Sequence, residues 1–171
     1  MTSRLSLYVF PALLAACALL TVTSSAGLPE NVAIHFNAKN GADAWVARDQ
    51  YRILMLSCLI GLPLLLVWLM AWLPRLTGEK GQIPDHEYWL ATEQRDATKR
   101  FLLAHSCWLG TITVAIIYGI QLSIQRANAA VPATLATDQL STMLLIYVCG
   151  LAWWIASFLR HFNRGRGDRD Y

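Results

Sequence analysis

Hydrophobic residues in this chain are gathered into four long blocks: no Asp, Glu, Lys or Arg occurs in residues 5 to 29, 53 to 74, 101 to 125 or 139 to 159. Each block exceeds the roughly 20 residues that an α-helix needs to cross about 30 Å of hydrocarbon. In lipid every backbone polar group must be satisfied internally. Uninterrupted apolar runs without period-2 alternation therefore point to helices and against a barrel. The pattern predicts an all-α polytopic membrane protein, one membrane domain with helices at about 5–26, 51–74, 93–124 and 139–160. An outer loop (27–50), a second loop (75–92) and a basic tail (161–171) complete it.

Composition agrees. Of 171 residues, 56% are hydrophobic and 15% charged, with a mean hydropathy of +0.39, against about 45–50% apolar and about 25% charged in soluble domains. The net charge of +3 does not signal nucleic acid, because the basic residues flank apolar blocks, where they orient a membrane protein. Arg4, then Arg75, Lys80, Arg95, Lys99 and Arg100, then Arg160, Arg164, Arg166 and Arg169 fall on one side, ten of the 14 basic residues. The positive-inside rule then puts both termini in the cytoplasm, with Trp68, Trp72, Trp153 and Trp154 toward the cytoplasmic headgroups. The expected partners are the lipid bilayer, another membrane protein or a second copy of the chain, and no nucleic acid. Residues 1 to 27 also resemble a signal peptide ending in Thr23-Ser24-Ser25-Ala26. The apolar run from Leu5 to Val22 is longer than the usual 7 to 15 residues of such a leader, which predicts a retained helix, with Pro11 in its first turns.

The first loop is the most distinctive polar segment. Val32, Ile34 and Phe36 alternate with more polar neighbours and Asn37 to Asp43 is rich in turn formers, so a short extended piece entering a turn is expected. His35, Asn37 and Asp43 form a polar cluster able to meet a cation, a peptide or a headgroup. Neither His-x-x-x-His nor Cys-x-x-Cys spacing accompanies them, so no metal site and no cofactor are expected. The simpler expectation is a structural turn, stapled by Phe36 and Trp45 against the outer helix ends.

The run Leu28-Pro29, Ile34-His35-Phe36-Asn37, Asp43-Ala44-Trp45 and Arg48 resembles the signature loop of a bacterial membrane family known as domain of unknown function 1648, related to the SdpI immunity protein. The resemblance continues through Ile83-Pro84 to Tyr88-Trp89-Leu90-Ala91. This chain has Ala33, Asn40, Ala42 and Ala44 where that pattern has Pro, Gly, Pro and Gly; Asn40 or Gly41 can still make the turn, because Asn tolerates left-handed backbone. The resemblance implies a bacterial inner-membrane location and a recognition role for His35, Phe36, Asn37, Asp43 and Trp45, in immunity or envelope sensing.

In the second loop Gly78, Gly81 and Pro84 are breakers. Thr92 is placed to cap a helix whose first turns hold Glu93 and Asp96, with Asp96 and Arg100 spaced to pair. Continued into the third span, that helix makes a rod of roughly 48 Å. Asp85, His86, Glu87 and Tyr88 offer either an acidic docking surface or a solvated linker with Tyr88 and Trp89 at the headgroups. Within the spans, His105 and the borderline His161 are the ionisable groups besides Cys and Tyr. An intramembrane His is a proton relay, a ligand contact or an interhelical hydrogen bond; one turn past Arg100, His105 reads as an interfacial or packing residue. Cys17, Cys58, Cys107 and Cys149 fall one per helix and read as free thiols. Ser106 with Gly110, and Ala115 with Gly119, are small-residue pairs suited to close packing within the bundle or a dimer. Enzyme motifs and membrane-embedded acid pairs are missing, so no enzyme and no catalytic residue is expected. Three roles follow: recognition through the first loop; an accessory subunit of a larger membrane complex; and a proton or metal transporter using His35, Asp43 and His105.

Overall fold

The structure, a computed structural model, describes residues 2–76, 86–89 and 91–167. Along the chain run α1 (Thr2–Ser25), β1 (Asn31–Phe36), β2 (Ala42–Ala47), α2 (Arg48–Leu76), α3 (His86–Trp89), α4 (Arg95–Ala129) and α5 (Thr137–Gly167). Of these, α1, α2, α4 and α5 are long and apolar enough to cross a membrane. Gly78, Gly81, Pro84, Asp85 and Arg169 lie outside the described residues, as do the side chains of His86 and Glu87 in the expected acidic surface. The four expected helices are present. The all-α expectation is corrected in the first loop, where β1 and β2 form a two-stranded antiparallel hairpin.

Helix α4 is the axis of the bundle. Half of its most apolar stretch is buried within the protein, against none of the corresponding stretch of α5, whose buried side chain among the described residues is Phe162 near its end. At 35 residues it extends about 52 Å at 1.5 Å per residue, slightly longer than the sequence predicts. Buried Phe10, Cys17, Leu59, Cys107 and Val114 fill the space between α1, α2 and α4. A Cβ on Gly110 would stand 2.6 Å from Phe10 Cε2 and 2.9 Å from Val67 Cγ2, so glycine is what allows the three helices to meet there. This is close packing of the small-residue kind that drives helix association in lipid, where apolar burial supplies little. Polar rungs align α1 parallel to α4: Ser6 Oγ donates to the Ala104 carbonyl (2.8 Å) and Thr21 Oγ1 to Gln121 Oε1 (2.7 Å). At the hairpin end Gln125 Nε2 donates to Ser24 Oγ (2.7 Å). Helix α5 packs principally on α4, leaving Leu144, Leu145, Ile146, Val148 and Ile155 exposed as a lipid-facing surface.

Several local expectations change. Gln94, not Thr92, occupies the N-cap of α4 and makes no side-chain cap bond, because residues 91–94 turn on themselves through Gln94 N–H donating to the Ala91 carbonyl (3.0 Å). Asp96 pairs with Lys99 (3.4 Å) rather than Arg100. Trp89 packs into a cluster with Leu102 and Phe162. All four cysteines are free, with Cys17 and Cys107 buried and Cys149 exposed.

Candidate functional site: the hairpin cap

The hairpin forms for reasons legible in its residues. Val32, Ile34 and Val46 pack with Leu28, Tyr51, Met55 and Ile124. Val32 is fully buried, which stabilises by about 1.5–3 kcal/mol for such a side chain. The turn is built by Asn37, whose Oδ1 accepts from the backbone N–H of Lys39 (2.9 Å) and Gly41 (3.2 Å), the local bonding that favours Asn in turns. Asn40 carries the positive φ of 63°. It therefore fills the left-handed position of the turn, which Asn tolerates better than most residues.

Three attachments fix this cap to the helices. Asn128 near the end of α4 pairs with Ala33 as a third strand would: Ala33 N–H donates to Asn128 Oδ1 (2.8 Å) and Asn128 Nδ2 to the Ala33 carbonyl (2.9 Å). Arg48, the first residue of α2, donates from its guanidinium to the carbonyls of Leu28 (3.0 Å) and Ala26 (3.3 Å). The α4–α5 connection closes over the hairpin tip, where Leu135 N–H donates to the Asn40 carbonyl (3.0 Å) and Ala42 N–H to the Ala133 carbonyl (3.3 Å). The first and third loops thus form one structure at one end of the bundle, and the start of α1 and the end of α5 lie at the other.

On the side facing away from the helices, His35 Nδ1 and Asp43 Oδ1 are 2.5 Å apart across the strands, with side chains 69% and 41% exposed. Trp45 is 54% exposed. The expected staple is therefore corrected: Val32, Ile34 and Val46 hold the cap down, Phe36 is only half-buried, and Trp45 points outward. Asn37 is engaged in making the turn. Of the five motif residues, the structure brings His35 and Asp43 into contact and leaves Trp45 open on the same cap. Among the described residues, no group of three or more His, Cys, Asp or Glu side chains could hold a metal ion. A His with one carboxylate falls short of a closed metal site, whereas an exposed, oriented pair beside an indole can present charge, hydrogen bonds and an apolar face to a ligand.

His105 belongs elsewhere. Its Nε2 donates to the Trp154 carbonyl (3.2 Å), and Trp154 Nε1 donates to the His105 carbonyl (2.9 Å), the interhelical hydrogen bond considered from sequence. The rings stack in a column running Trp154, His105, Phe101, His161, with centroid separations of 4.6, 5.2 and 3.5 Å. Trp154 is thereby turned onto α4, while Trp68, Trp72 and Trp153 remain exposed. From His105 to Asn128, which holds the hairpin, α4 advances 23 residues or about 35 Å. A relay linking His35, Asp43 and His105 has no support in this separation. Asn128 carries no signal in the sequence, and Arg48, part of the run quoted from the first loop, carries none of its anchoring role: the partners of both are backbone groups distant along the chain and leave no local pattern. No family model matches the chain, and neither do curated proteins or solved structures.

Proposed function

We propose that this is a bacterial inner-membrane protein, with both termini in the cytoplasm, that recognises a ligand at the outer face through the hairpin cap, in the manner of SdpI-like immunity and envelope-sensing proteins. The observation that carries this reading is the exposed His35–Asp43 pair with exposed Trp45 on a hairpin anchored to α2, α4 and the α4–α5 connection. A preorganised polar and aromatic surface lowers the ordering cost that a floppy loop incurs on binding. The resemblance of residues 28 to 48 to the 1648 family, and the ten basic residues on the opposite side of the spans, point the same way. The activity is binding, not catalysis. The test is survival of the host on secreted peptide toxins and under membrane stress, comparing parent, gene deletion and His35→Ala/Asp43→Ala/Trp45→Ala. Deletion and triple variant are expected to be equally sensitised while the variant remains in the membrane at parental level. Unchanged survival in both would refute the reading.

A second reading, an accessory subunit of a larger membrane complex, is favoured by α5, whose most apolar stretch has no residue buried within the protein. Gentle detergent extraction and mass analysis discriminate: stoichiometric recovery with a larger complex supports the subunit, and recovery as monomer or dimer rejects it.

A further inference from the structure

The seam between α4 and α5 holds two voids in series. Toward the chain termini, Phe101, Ser157, Arg160 and His161 line a cavity of about 270 Å³. Deeper along the seam, Ile112, Gly119, Met143, Ile146 and Gly150 line an apolar crevice of about 330 Å³. Because α5 packs principally on α4, both lie on a seam flanked by lipid-facing surface. Gly150 differs in meaning from Gly110. A Cβ at Gly150 would meet Ile112 Cγ2 at an ordinary 3.5 Å, so helix packing does not demand glycine there, and the room it leaves is vacant space beside the bilayer.

We propose that this seam binds one anionic glycerophospholipid from the leaflet facing the chain termini, its phosphate at Arg160 and one acyl chain in the crevice at Gly150. Arg160 Nε donates to the Ala156 carbonyl (3.1 Å), which holds the guanidinium over the preceding turn of α5, beside Ser157 in the lining of the first void. Arg160 is in none of the salt bridges among the described residues. A guanidinium recognises phosphate through paired N–H donors. Basic pockets between membrane helices on the cytoplasmic side suit anionic headgroups, and a zwitterionic lipid would bring its own cation against Arg160. The lengths also agree. Along α5 the crevice begins at Gly150, ten residues or about 15 Å from Arg160, and ends at Met143, about 26 Å from it, so an extended acyl chain anchored at Arg160 enters it at Gly150. The crevice walls that accept the chain are apolar apart from the hydroxyl of Tyr147, and the His105–Trp154 pair holds the two helices together between the voids.

The test is native mass spectrometry of the full-length protein, titrated at equal concentrations with phosphatidylglycerol and phosphatidylcholine. Phosphatidylglycerol is expected to be retained at least about fivefold better, the discrimination one basic residue supplies at a membrane surface. R160Q is expected to abolish that preference, G150L to reduce retention of both lipids, and R126Q, at the opposite end of α4, to change neither. I146W serves as a second crevice-filling variant if G150L is not recovered folded. Equal retention of the two lipids, or an undiminished preference in R160Q, overturns the proposal. Displacement of phosphatidylglycerol by the same concentration of inorganic phosphate also overturns it, because the site would then be one for free phosphate.

Discussion

Replacing Asn128 by alanine tests whether the hairpin is a rigid cap or a tethered loop. The Asn128 amide makes three hydrogen bonds: it accepts from Ala33 N–H (2.8 Å) and donates to the carbonyls of Ala33 (2.9 Å) and Ile124 (2.9 Å). Ala33 is fully buried, so water cannot simply take the place of the lost amide. A buried backbone group left unsatisfied costs about 1–3 kcal/mol. Two such groups in one small site are not additive, which gives about 2–4 kcal/mol for Asn128→Ala. At 1.4 kcal/mol per factor of ten, hairpin opening becomes roughly 30- to 1,000-fold more frequent. Amide hydrogen exchange in lipid nanodiscs, resolved on peptides covering residues 31–36, reads this directly, since exchange reports local opening. Peptides from the middle of α4 serve as the internal control and are expected to change little. Asn128→Asp sharpens the test, because a carboxylate still accepts from Ala33 N–H but sets like dipoles against two carbonyls. Asp is therefore expected to be no better than Ala, although it is the closer isostere. Exchange at residues 31–36 within about threefold of the parent would show that the cap is held by other contacts and refute the reasoning.

Further outcomes follow from the bundle. Gly110→Ala is expected to destabilise by about 1–3 kcal/mol through overpacking against Phe10 and Val67, whereas Gly61→Ala, with nothing within 4 Å of its new Cβ, is neutral; unfolding titrations in mixed micelles compare them. Thr21→Val leaves buried Gln121 without its hydroxyl partner, its Nε2 already lacking one. The double change Thr21→Val/Gln121→Leu is expected to be less destabilising than Thr21→Val alone, since removing both partners avoids an unsatisfied group. His105→Leu is expected to cost about 0.6–1.7 kcal/mol, the range for interhelical hydrogen bonds in a membrane, and to leave toxin sensitivity unchanged. An effect on sensitivity would bring His105 back into the recognition role.

By itself the sequence determined the number of membrane helices, because lipid leaves a charge-free stretch of twenty or more residues no alternative to forming one. The local grammar of the cap was equally legible: alternation in Val32, Ile34 and Phe36, turn chemistry at Asn37, and a left-handed position that Asn40 could fill all act over a few residues. What only the tertiary structure decided is which side chains on these elements face each other. Trp45 reads as a staple from its size and flanking helix, yet it is exposed, since Leu28, Tyr51 and Ile124 already fill the ground beneath the hairpin. His105 reads equally as relay, ligand or packing residue until the carbonyl of Trp154 is seen against its ring. Asn128 carries no motif, and the anchoring role of Arg48 is not legible from its place in the run, because their partners are backbone groups, which every residue has. Hydrophobic period and turn preference are properties of neighbours in the chain, whereas the anchoring of the cap, the fit at Gly110 and the seam beside Arg160 depend on distances between residues up to about a hundred positions apart.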